Sequence, residues 1–316
     1  MSTTHSRNLS RRAVLAGGLA AGAGLAFGSR VALAQATPSS LPLITKPIPS
    51  TGEKLPVVGI GTNQYSVAGA ADLAARRDVL DHLPKLGGKL VDTAYRYGDA
   101  ELVIGKLVRE LGNRNDLFIA TKTAPPNEVP TRQALEQAFN RLQMQKIDLV
   151  QIHSFRGTDE LLPLLAEAKQ AGKVRYIGVT TSSDSQYPEM LEALNKRKLD
   201  FIQVDYSLEN QGAEKILQLA QDKGVAVLIN VPLGGRGAGL LAKANGKPLP
   251  EWARSELDVT SWAQLLLKYT IAHPAVTVVI PGTTKLTHLQ DNQLAGRGRL
   301  PDAAQRKKIE QYWEKV

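Results

Sequence analysis

The feature that most constrains the fold is a regular alternation of short apolar runs with longer amphipathic windows. The windows, such as RQALEQAFNRLQ and EKILQLAQDKG, carry apolar residues at the 3.6-residue period of a helix. Gly172 and Gly224 are expected to end two of these helices. Because strands that alternate with helices form parallel sheets, the sequence predicts an α/β fold. The strand-like runs lie at residues 56–61, 89–94, 117–122, 147–153, 174–181, 200–206, 225–232 and 276–282.

Eight such units favour a (β/α)8 TIM barrel with eight parallel strands and extra C-terminal helices. An open, doubly wound sheet is the competing fold, and it would carry a glycine-rich dinucleotide fingerprint after its first strand. The segment GIGT at 59–62 has two of those glycines but lacks the third and a following helix. We therefore expect one barrel domain over residues 35–316. The proline-rich segment 38–49 and the connection 233–258 show no clear periodicity, and both are expected to be irregular.

Residues 1–34 contain the three parts of an export signal in their usual order. A basic segment with Arg11 and Arg12 precedes an Ala/Gly/Leu-rich stretch at 13–27, and residues 32–34 read A-x-A, a cleavage signal. The stretch is shorter than the roughly 20 apolar residues of a transmembrane helix. The arginine pair resembles the bacterial twin-arginine signal. We expect recognition by the twin-arginine export machinery, no stable membrane span after cleavage and a periplasmic location; an uncleaved amphipathic or disordered tail is the alternative.

Charge and cysteine content exclude several classes of function. Residues 1–34 hold four arginines and no acidic residue, so their removal lowers the formal charge from +9 to +5. The remaining basic residues are spread along the chain, and we expect no nucleic-acid partner. Because the chain has no cysteine, it can form no disulfide, thiol nucleophile or cysteine-ligated metal site.

Polar residues stand at the C-terminal ends of the strand-like runs, where a (β/α)8 barrel builds its active site. Asp92 lies near the end of the second run and Tyr97 just after it, Lys122 ends the third and His153 ends the fourth. An ammonium beside a phenol lowers the phenol pKa, and a carboxylate can hold that ammonium in place. Tyr97 is therefore predicted to be a general acid supported by Lys122 and Asp92, while His153 donates to, or orients, a substrate carbonyl.

Each of these residues also has a purely structural explanation. Asp92 could cap the following helix, Lys122 could be a solvated strand-end lysine, and His153 could be a core histidine. Tyr95 could be the functional tyrosine in place of Tyr97. All four types on consecutive strands of one barrel nevertheless favour a site.

The chain resembles the aldo/keto reductase family over essentially the whole segment that follows the export signal. The segment VDTAYRYG matches the family's DTAxxYG and places the catalytic tyrosine at Tyr97, five residues after Asp92. IATK supplies the family lysine at Lys122, and IDLVQIH supplies the family histidine at His153. The resemblance implies reduction of a small aldehyde or ketone without a metal, by hydride transfer from NADPH or, less often, NADH.

The same resemblance implies a cofactor site along the remaining strand ends. KVRYIGVTT, FIQVDYS, VPLGGRG and VVIPGTTKLTHLQDN match the family segments that hold the nicotinamide, phosphate and adenosine. The family's Ser-Asn pair is Thr180-Thr181 here, its stacking aromatic residue is Asn230, and Lys285 is the remaining cation for a 2′-phosphate. The implied cofactor-binding residues are Gly61, Thr62, Asp92, Thr180, Thr181, Gln203, Asn230, Pro232, Leu233, Gly234, Thr283, Thr284, Lys285, His288 and Asn292.

Two other functions stay open at this point. The first is a barrel that binds a nucleotide or a protein partner without turnover. The second is an isomerase or lyase acting on a phosphorylated substrate, for which LGGRGAG at 233–239 would be the phosphate loop. Tyr65, Trp252 and Phe155 are candidates for an apolar substrate pocket.

Overall fold

The computed structural model describes residues 40–235 and 239–316. The predicted export signal (1–34) and residues 236–238 of the predicted phosphate loop lie outside the described residues. The strands are β1 (Thr45–Pro47), β2 (Lys54–Pro56), β3 (Ile60–Gly61), β4 (Leu90–Asp92), β5 (Phe118–Thr123), β6 (Ile147–His153), β7 (Val174–Thr180), β8 (Phe201–Asp205), β9 (Ala226–Asn230) and β10 (Val276–Val279). The α-helices are α1 (Ala70–Lys85), α2 (Ala100–Leu111), α3 (Thr131–Leu142), α4 (Thr158–Gln170), α5 (Tyr187–Lys196), α6 (Glu214–Lys223), α7 (Gly239–Lys243), α8 (Glu251–Leu257), α9 (Trp262–Ile271), α10 (Leu286–Leu294) and α11 (Ala303–Trp313).

Strands β3 to β10 form one parallel sheet in which every strand pairs with its neighbours in the sequence. Parallel bridges from Val58 to Val279 and from Gly61 to Gly282 close this sheet into a barrel. The approach of the chain before β3 to β4 needs glycine at position 59, because a Cβ there would lie 2.7 Å from the carbonyl oxygen of Leu90. The predicted (β/α)8 barrel is therefore confirmed.

Alternate residues of the strands point into the barrel lumen. The N-terminal half of the lumen is apolar. Its aromatic centre is made by Phe118, Tyr176 and Phe201, whose ring centroids lie 5.4–6.0 Å apart. Ile48 and Leu55, from the antiparallel β1–β2 hairpin, belong to the same buried cluster. The hairpin thus closes the N-terminal end of the barrel.

Two segments differ from the sequence prediction. The proline-rich segment 38–49, expected to be irregular, contributes strand β1, because Ile48 is fully buried in the lumen cluster. The connection 233–258, also expected to be irregular, contains helices α7 and α8, which bury Leu240 and Leu257. Short helices with so few buried residues give too weak a periodic pattern to be recognised in a sequence.

Helix α11 follows the barrel and corresponds to the extra C-terminal helix. It begins after a capping box in which Asp302 and Gln305 satisfy each other's backbone N–H groups. Within residues 40–235 and 239–316, no helix is long and apolar enough to cross a membrane.

Candidate active site

A buried ion pair lies at the C-terminal end of the lumen. Asp92 is the last residue of β4 and Lys122 is the penultimate residue of β5, so the parallel pairing of these strands brings the two side chains together. The ammonium of Lys122 donates to Asp92 Oδ2 at 2.6 Å and to the carbonyl of Thr93 at 2.9 Å. Both side chains are at most 3% exposed. The carboxylate predicted to be the counter-ion of the lysine is therefore in direct contact with it.

Tyr97 lies beside this ion pair, in the turn before α2. The ammonium nitrogen of Lys122 is 5.3 Å from the centroid of the Tyr97 ring. Burial works against the charged lysine, yet the Asp92 carboxylate and the Tyr97 phenol together hold the pKa of Lys122 above its ordinary value. The tyrosine itself is only partly buried, so its ring joins the buried charge pair to the open end of the barrel.

His153, the last residue of β6, stands edge-on to two tyrosine rings. Its ring centroid is 6.4 Å from Tyr97 and 5.9 Å from Tyr95. Burial, reinforced by the positive charge of Lys122, lowers the pKa of His153 to about 4. The imidazole is therefore neutral at neutral pH, and it can donate one hydrogen bond without carrying a charge. Of the two tyrosines, Tyr97 is the one with a ring contact to the lysine ammonium.

The polar residues at the C-terminal ends of the barrel strands form a polar layer. The ends of β7, β8 and β9 continue this layer beyond Asp92, Lys122 and His153. Thr180 pairs in register with His153 and with Gln203. The Asn230 amide donates to the carbonyl of Thr181 at 3.0 Å. The Thr181 hydroxyl donates to the Gln186 side chain at 2.7 Å, so this hydroxyl is already engaged within its own loop.

Several predicted cofactor-binding residues lie where the barrel closes. Thr62 donates through its hydroxyl to the backbone carbonyl of Asp92 at 2.8 Å, and Gly61 bridges to Gly282. Next to that bridge, the Thr283 hydroxyl accepts from the backbone N–H of Lys285, the residue that precedes α10. The structure thus places the ends of β3, β4 and β10 side by side.

The other members of the predicted set occupy the loop after β9 and helix α10. Gly234, with φ +84°, adopts a left-handed conformation. Pro232 and Asn292 are buried, Leu233, Gly234 and Thr284 are partly buried, and Lys285 and His288 are exposed.

Gln151, which the sequence motifs do not indicate, belongs to the same polar layer. Its amide donates to the Gln203 side chain at 3.0 Å, and both residues are at most 2% exposed. The pattern that could have found it is the period of two, because residue 151 shares the inward face of β6 with His153.

The three candidates for an apolar pocket differ in burial and in the contacts they make. Tyr65 is fully buried. Trp252 packs against Tyr312 of α11, with ring centroids 6.2 Å apart. Phe155 is partly buried and follows His153 closely in the chain.

The comparisons with known proteins identify the family. The model of the Aldo/keto reductase family matches residues 57–314. The chain belongs to the aldo/keto reductase family. It is therefore an oxidoreductase, and the family segment includes every strand of the barrel.

Three similar proteins illustrate how far this likeness extends. An uncharacterized oxidoreductase of Bacillus subtilis, YqkF, is 26% identical over 263 residues, which cover 70% of this chain and 82% of that protein. The aldo-keto reductase AKR11C1 of Bacillus halodurans, in its holo form, superposes with a TM-score of 0.68 at 24% identity and covers 85% of this chain and 96% of its own. An aldo-keto reductase of Klebsiella pneumoniae in complex with NADPH gives a TM-score of 0.64 at 24% identity, with coverages of 83% and 92%.

Proposed function

We propose that this aldo/keto reductase reduces a small aldehyde or ketone with NADPH, and that Tyr97 is the general acid. NADH is the alternative cofactor. The observation that carries the proposal is the buried Lys122–Asp92 contact at 2.6 Å, with the ammonium 5.3 Å from the Tyr97 ring. A binding protein without turnover has no need of a charge pair held against a partly exposed phenol.

The residues of the site divide the work of proton transfer. Bound NADPH would supply the hydride that the carbonyl carbon accepts. Tyr97 gives its phenolic proton to the carbonyl oxygen, and the ammonium of Lys122 stabilises the phenolate that results. Asp92 holds the ammonium in place. The neutral imidazole of His153 donates a hydrogen bond that orients the carbonyl.

The polar layer fits the amide group of a nicotinamide. Buried oxygens of Asn230 and Gln151, Oδ1 and Oε1, have no hydrogen-bond partner among the described residues. An amide offers two N–H donors and one acceptor, so it matches acceptors of this kind. Asn230 and Gln151 would accept from that group, with Thr180 and Gln203 beside them, and Lys285 would contact a 2′-phosphate. The Klebsiella pneumoniae relative, which was solved in complex with NADPH, supports the same choice of cofactor.

A titration separates the competing functions. The purified barrel is mixed with NADPH while nicotinamide fluorescence is followed, and aldehydes and ketones are then added while the reduced nicotinamide is measured by absorbance. We expect saturable binding followed by carbonyl-dependent oxidation. Binding without oxidation would support a nucleotide-binding protein. No binding, together with turnover of a phosphorylated substrate, would support an isomerase or lyase.

We also propose that the protein is exported to the periplasm by the twin-arginine machinery and that it folds around its cofactor beforehand. Twin-arginine export moves folded proteins, and cofactor binding would stabilise the folded cargo. Replacing Arg11 and Arg12 with lysine should retain the precursor in the cytoplasm. Protein purified from periplasm should contain the dinucleotide by mass spectrometry, whereas empty protein that binds NADPH weakly would contradict capture before export.

A further inference from the structure

Three charged side chains on three consecutive loops meet beside His153. Arg96 lies between β4 and α2, Glu128 between β5 and α3, and Arg156 between β6 and α4. Glu128 Oε1 accepts from Arg96 at 2.6 Å and lies 3.0 Å from Arg156 Nη1. Glu128 Oε2 accepts from the hydroxyl of Tyr95 at 3.1 Å. We call Arg96, Glu128 and Arg156 the arginine cluster.

The arginine cluster has an unbalanced positive charge and unused donors. Two guanidinium groups share one carboxylate, which leaves one positive charge over. Each arginine reaches Glu128 through a single nitrogen, although a guanidinium can bind a carboxylate or phosphate through two parallel N–H groups. The side chains of Arg96 and Arg156 are 51% and 40% exposed, so both are open to solvent.

The backbone that presents Arg156 has an uncommon conformation. The two residues between it and His153, Ser154 and Phe155, have φ values of +54° and +58°, in a region that non-glycine residues rarely adopt. Three hydrogen bonds hold this turn: Gln186 to the Ser154 carbonyl at 2.9 Å, Thr158 to the Phe155 carbonyl at 2.9 Å, and the Arg156 N–H to the His153 carbonyl at 3.3 Å. Such local strain is concentrated at functional sites.

The arginine cluster is continuous with the candidate catalytic residues. The guanidinium carbon of Arg96 is 5.8 Å from the centroid of the Tyr95 ring, and that ring stands edge-on to His153 at 5.9 Å. After burial and Lys122, the charges of Arg96 and Arg156 are the next causes of the lowered pKa of His153. Position 96 is one of the variable positions in the family's DTAxxYG pattern, so that pattern does not account for an arginine there.

We propose that Arg96 and Arg156 bind an anionic group of the substrate, so that the enzyme acts on carbonyl compounds that carry a carboxylate or a phosphate. The proposal rests on the proposed carbonyl reduction. Glu128 holds the two guanidinium groups together and leaves their free N–H groups directed to the incoming anion. The two arginines determine specificity, while Tyr97 and Lys122 perform the proton transfer.

The test compares pairs of substrates that differ in charge. Succinic semialdehyde is paired with butanal for the carboxylate, and dihydroxyacetone phosphate with dihydroxyacetone for the phosphate. For the wild type, we expect kcat/KM to be higher for at least one anionic member than for its neutral partner. The ratio of the two kcat/KM values should fall about tenfold or more in Arg96→Gln and in Arg156→Gln, as expected for the loss of a charge-assisted hydrogen bond. Arg96→Lys and Arg156→Lys should each retain part of the ratio, because lysine keeps the positive charge but lacks the planar guanidinium group.

A matched control is Arg77→Gln. Arg77, in α1, is 40% exposed and pairs with Glu110 at 2.9 Å. The substitution therefore removes an arginine–glutamate ion pair of the same kind, but on the outer helices. We expect the Arg77→Gln substrate ratio to equal that of the wild type. The proposal is overturned if Arg96→Gln and Arg156→Gln both keep the wild-type ratio of kcat/KM for the anionic and neutral substrates. It is also overturned if these variants change only the KM for NADPH.

A binding measurement keeps this test separate from the test of carbonyl reduction. Succinate and inorganic phosphate are each titrated by calorimetry into wild-type protein saturated with NADP+, and into the Arg96→Gln/Arg156→Gln double variant. We expect at least one of them to bind the wild type and to bind the double variant at least tenfold more weakly. If no carbonyl compound is reduced, the proposed function fails; if neither anion binds, or if each binds both proteins equally, the anion site fails.

Discussion

At the N-terminal end of the barrel, charged side chains near the β1–β2 hairpin pair with one another, whereas at the C-terminal end several buried polar atoms have no partner among the described residues. Near the hairpin, Arg175 contacts both Asp148 and Glu53, and Asp148 also accepts from Arg114. At the other end, the atoms without a hydrogen-bond partner among the described residues include Asp92 Oδ1, Thr93 Oγ1, Gln151 Oε1 and Asn230 Oδ1.

This difference separates the structural end of the barrel from the functional end. A buried polar atom without a partner costs about 1–3 kcal/mol. Paired charges near the hairpin hold the β1–β2 segment on the barrel. A bound ligand that donates to the unpaired acceptors of Asp92, Gln151 and Asn230 would remove this cost. The contrast therefore agrees with ligand binding at the C-terminal end, where the sequence motifs also place it.

The largest effect is expected from breaking the buried charge pair. Lys122→Met removes the cation that stabilises the phenolate, and kcat should fall by a factor of ~10² or more. Asp92→Asn leaves the amine charged but poorly held, and should do less damage. Steady-state kinetics across pH would measure both. A more severe loss in Asp92→Asn would contradict the roles assigned to this pair.

Two asparagines sharpen the comparison of the two ends. Asn230 and Asn113 each donate one hydrogen bond at 3.0 Å and each leave Oδ1 buried without a described partner. Asn230→Ala should raise the Kd for NADPH about tenfold, the equivalent of roughly 1.4 kcal/mol. Asn113→Ala should leave that Kd unchanged, because Asn113 lies just after α2, outside the lumen. Fluorescence titration with NADPH measures both Kd values. Equal changes in Asn230→Ala and Asn113→Ala would remove the distinction between the two ends.

His153 predicts a smaller effect, on the pH dependence of stability. Its pKa is about 4 in the folded protein and about 6.5 in an unfolded chain. As pH falls through this interval, the unfolded chain takes up the proton first, so stability that is complete above about pH 6.5 is lost towards pH 4. Allowing for partial exposure, His153→Gln should remove about 1 kcal/mol of the difference between pH 7 and pH 5. Urea unfolding at both values tests this; identical differences in the two proteins would contradict it.

The smallest effect on catalysis is expected from Arg175→Met. This substitution breaks the contacts with Glu53 and Asp148, so the free energy of unfolding should fall by about 1–3 kcal/mol. Because Arg175 lies at the N-terminal end, kcat/KM should stay as in the wild type at a temperature where the variant is folded. A loss of activity without a loss of stability would show that the two ends are not independent.

The sequence predicted the parts of the molecule that follow regular periods. The eight strands were recognised because apolar runs alternate with helical windows, and Asp92, Lys122 and His153 were found because each ends such a run. The β1–β2 hairpin was missed, since its proline-rich strands are only three residues long and are fixed by packing under the barrel. The arginine cluster was missed for a related reason. Its residues come from the loops of three βα units, and loop sequences have no periodic pattern of apolar residues.

The proton donor is the central claim, and a single-turnover experiment tests it most directly. Enzyme premixed with NADPH is mixed with an aldehyde, and the oxidation of the nicotinamide is followed in the wild type, Tyr97→Phe and Tyr95→Phe. The account predicts a rate lower by a factor of ~10²–10⁴ in Tyr97→Phe, with the Kd for NADPH nearly unchanged, and a much smaller loss in Tyr95→Phe. A Tyr97→Phe rate above roughly a few per cent of the wild-type value, with the larger loss in Tyr95→Phe, would contradict it and make Tyr95 the proton donor.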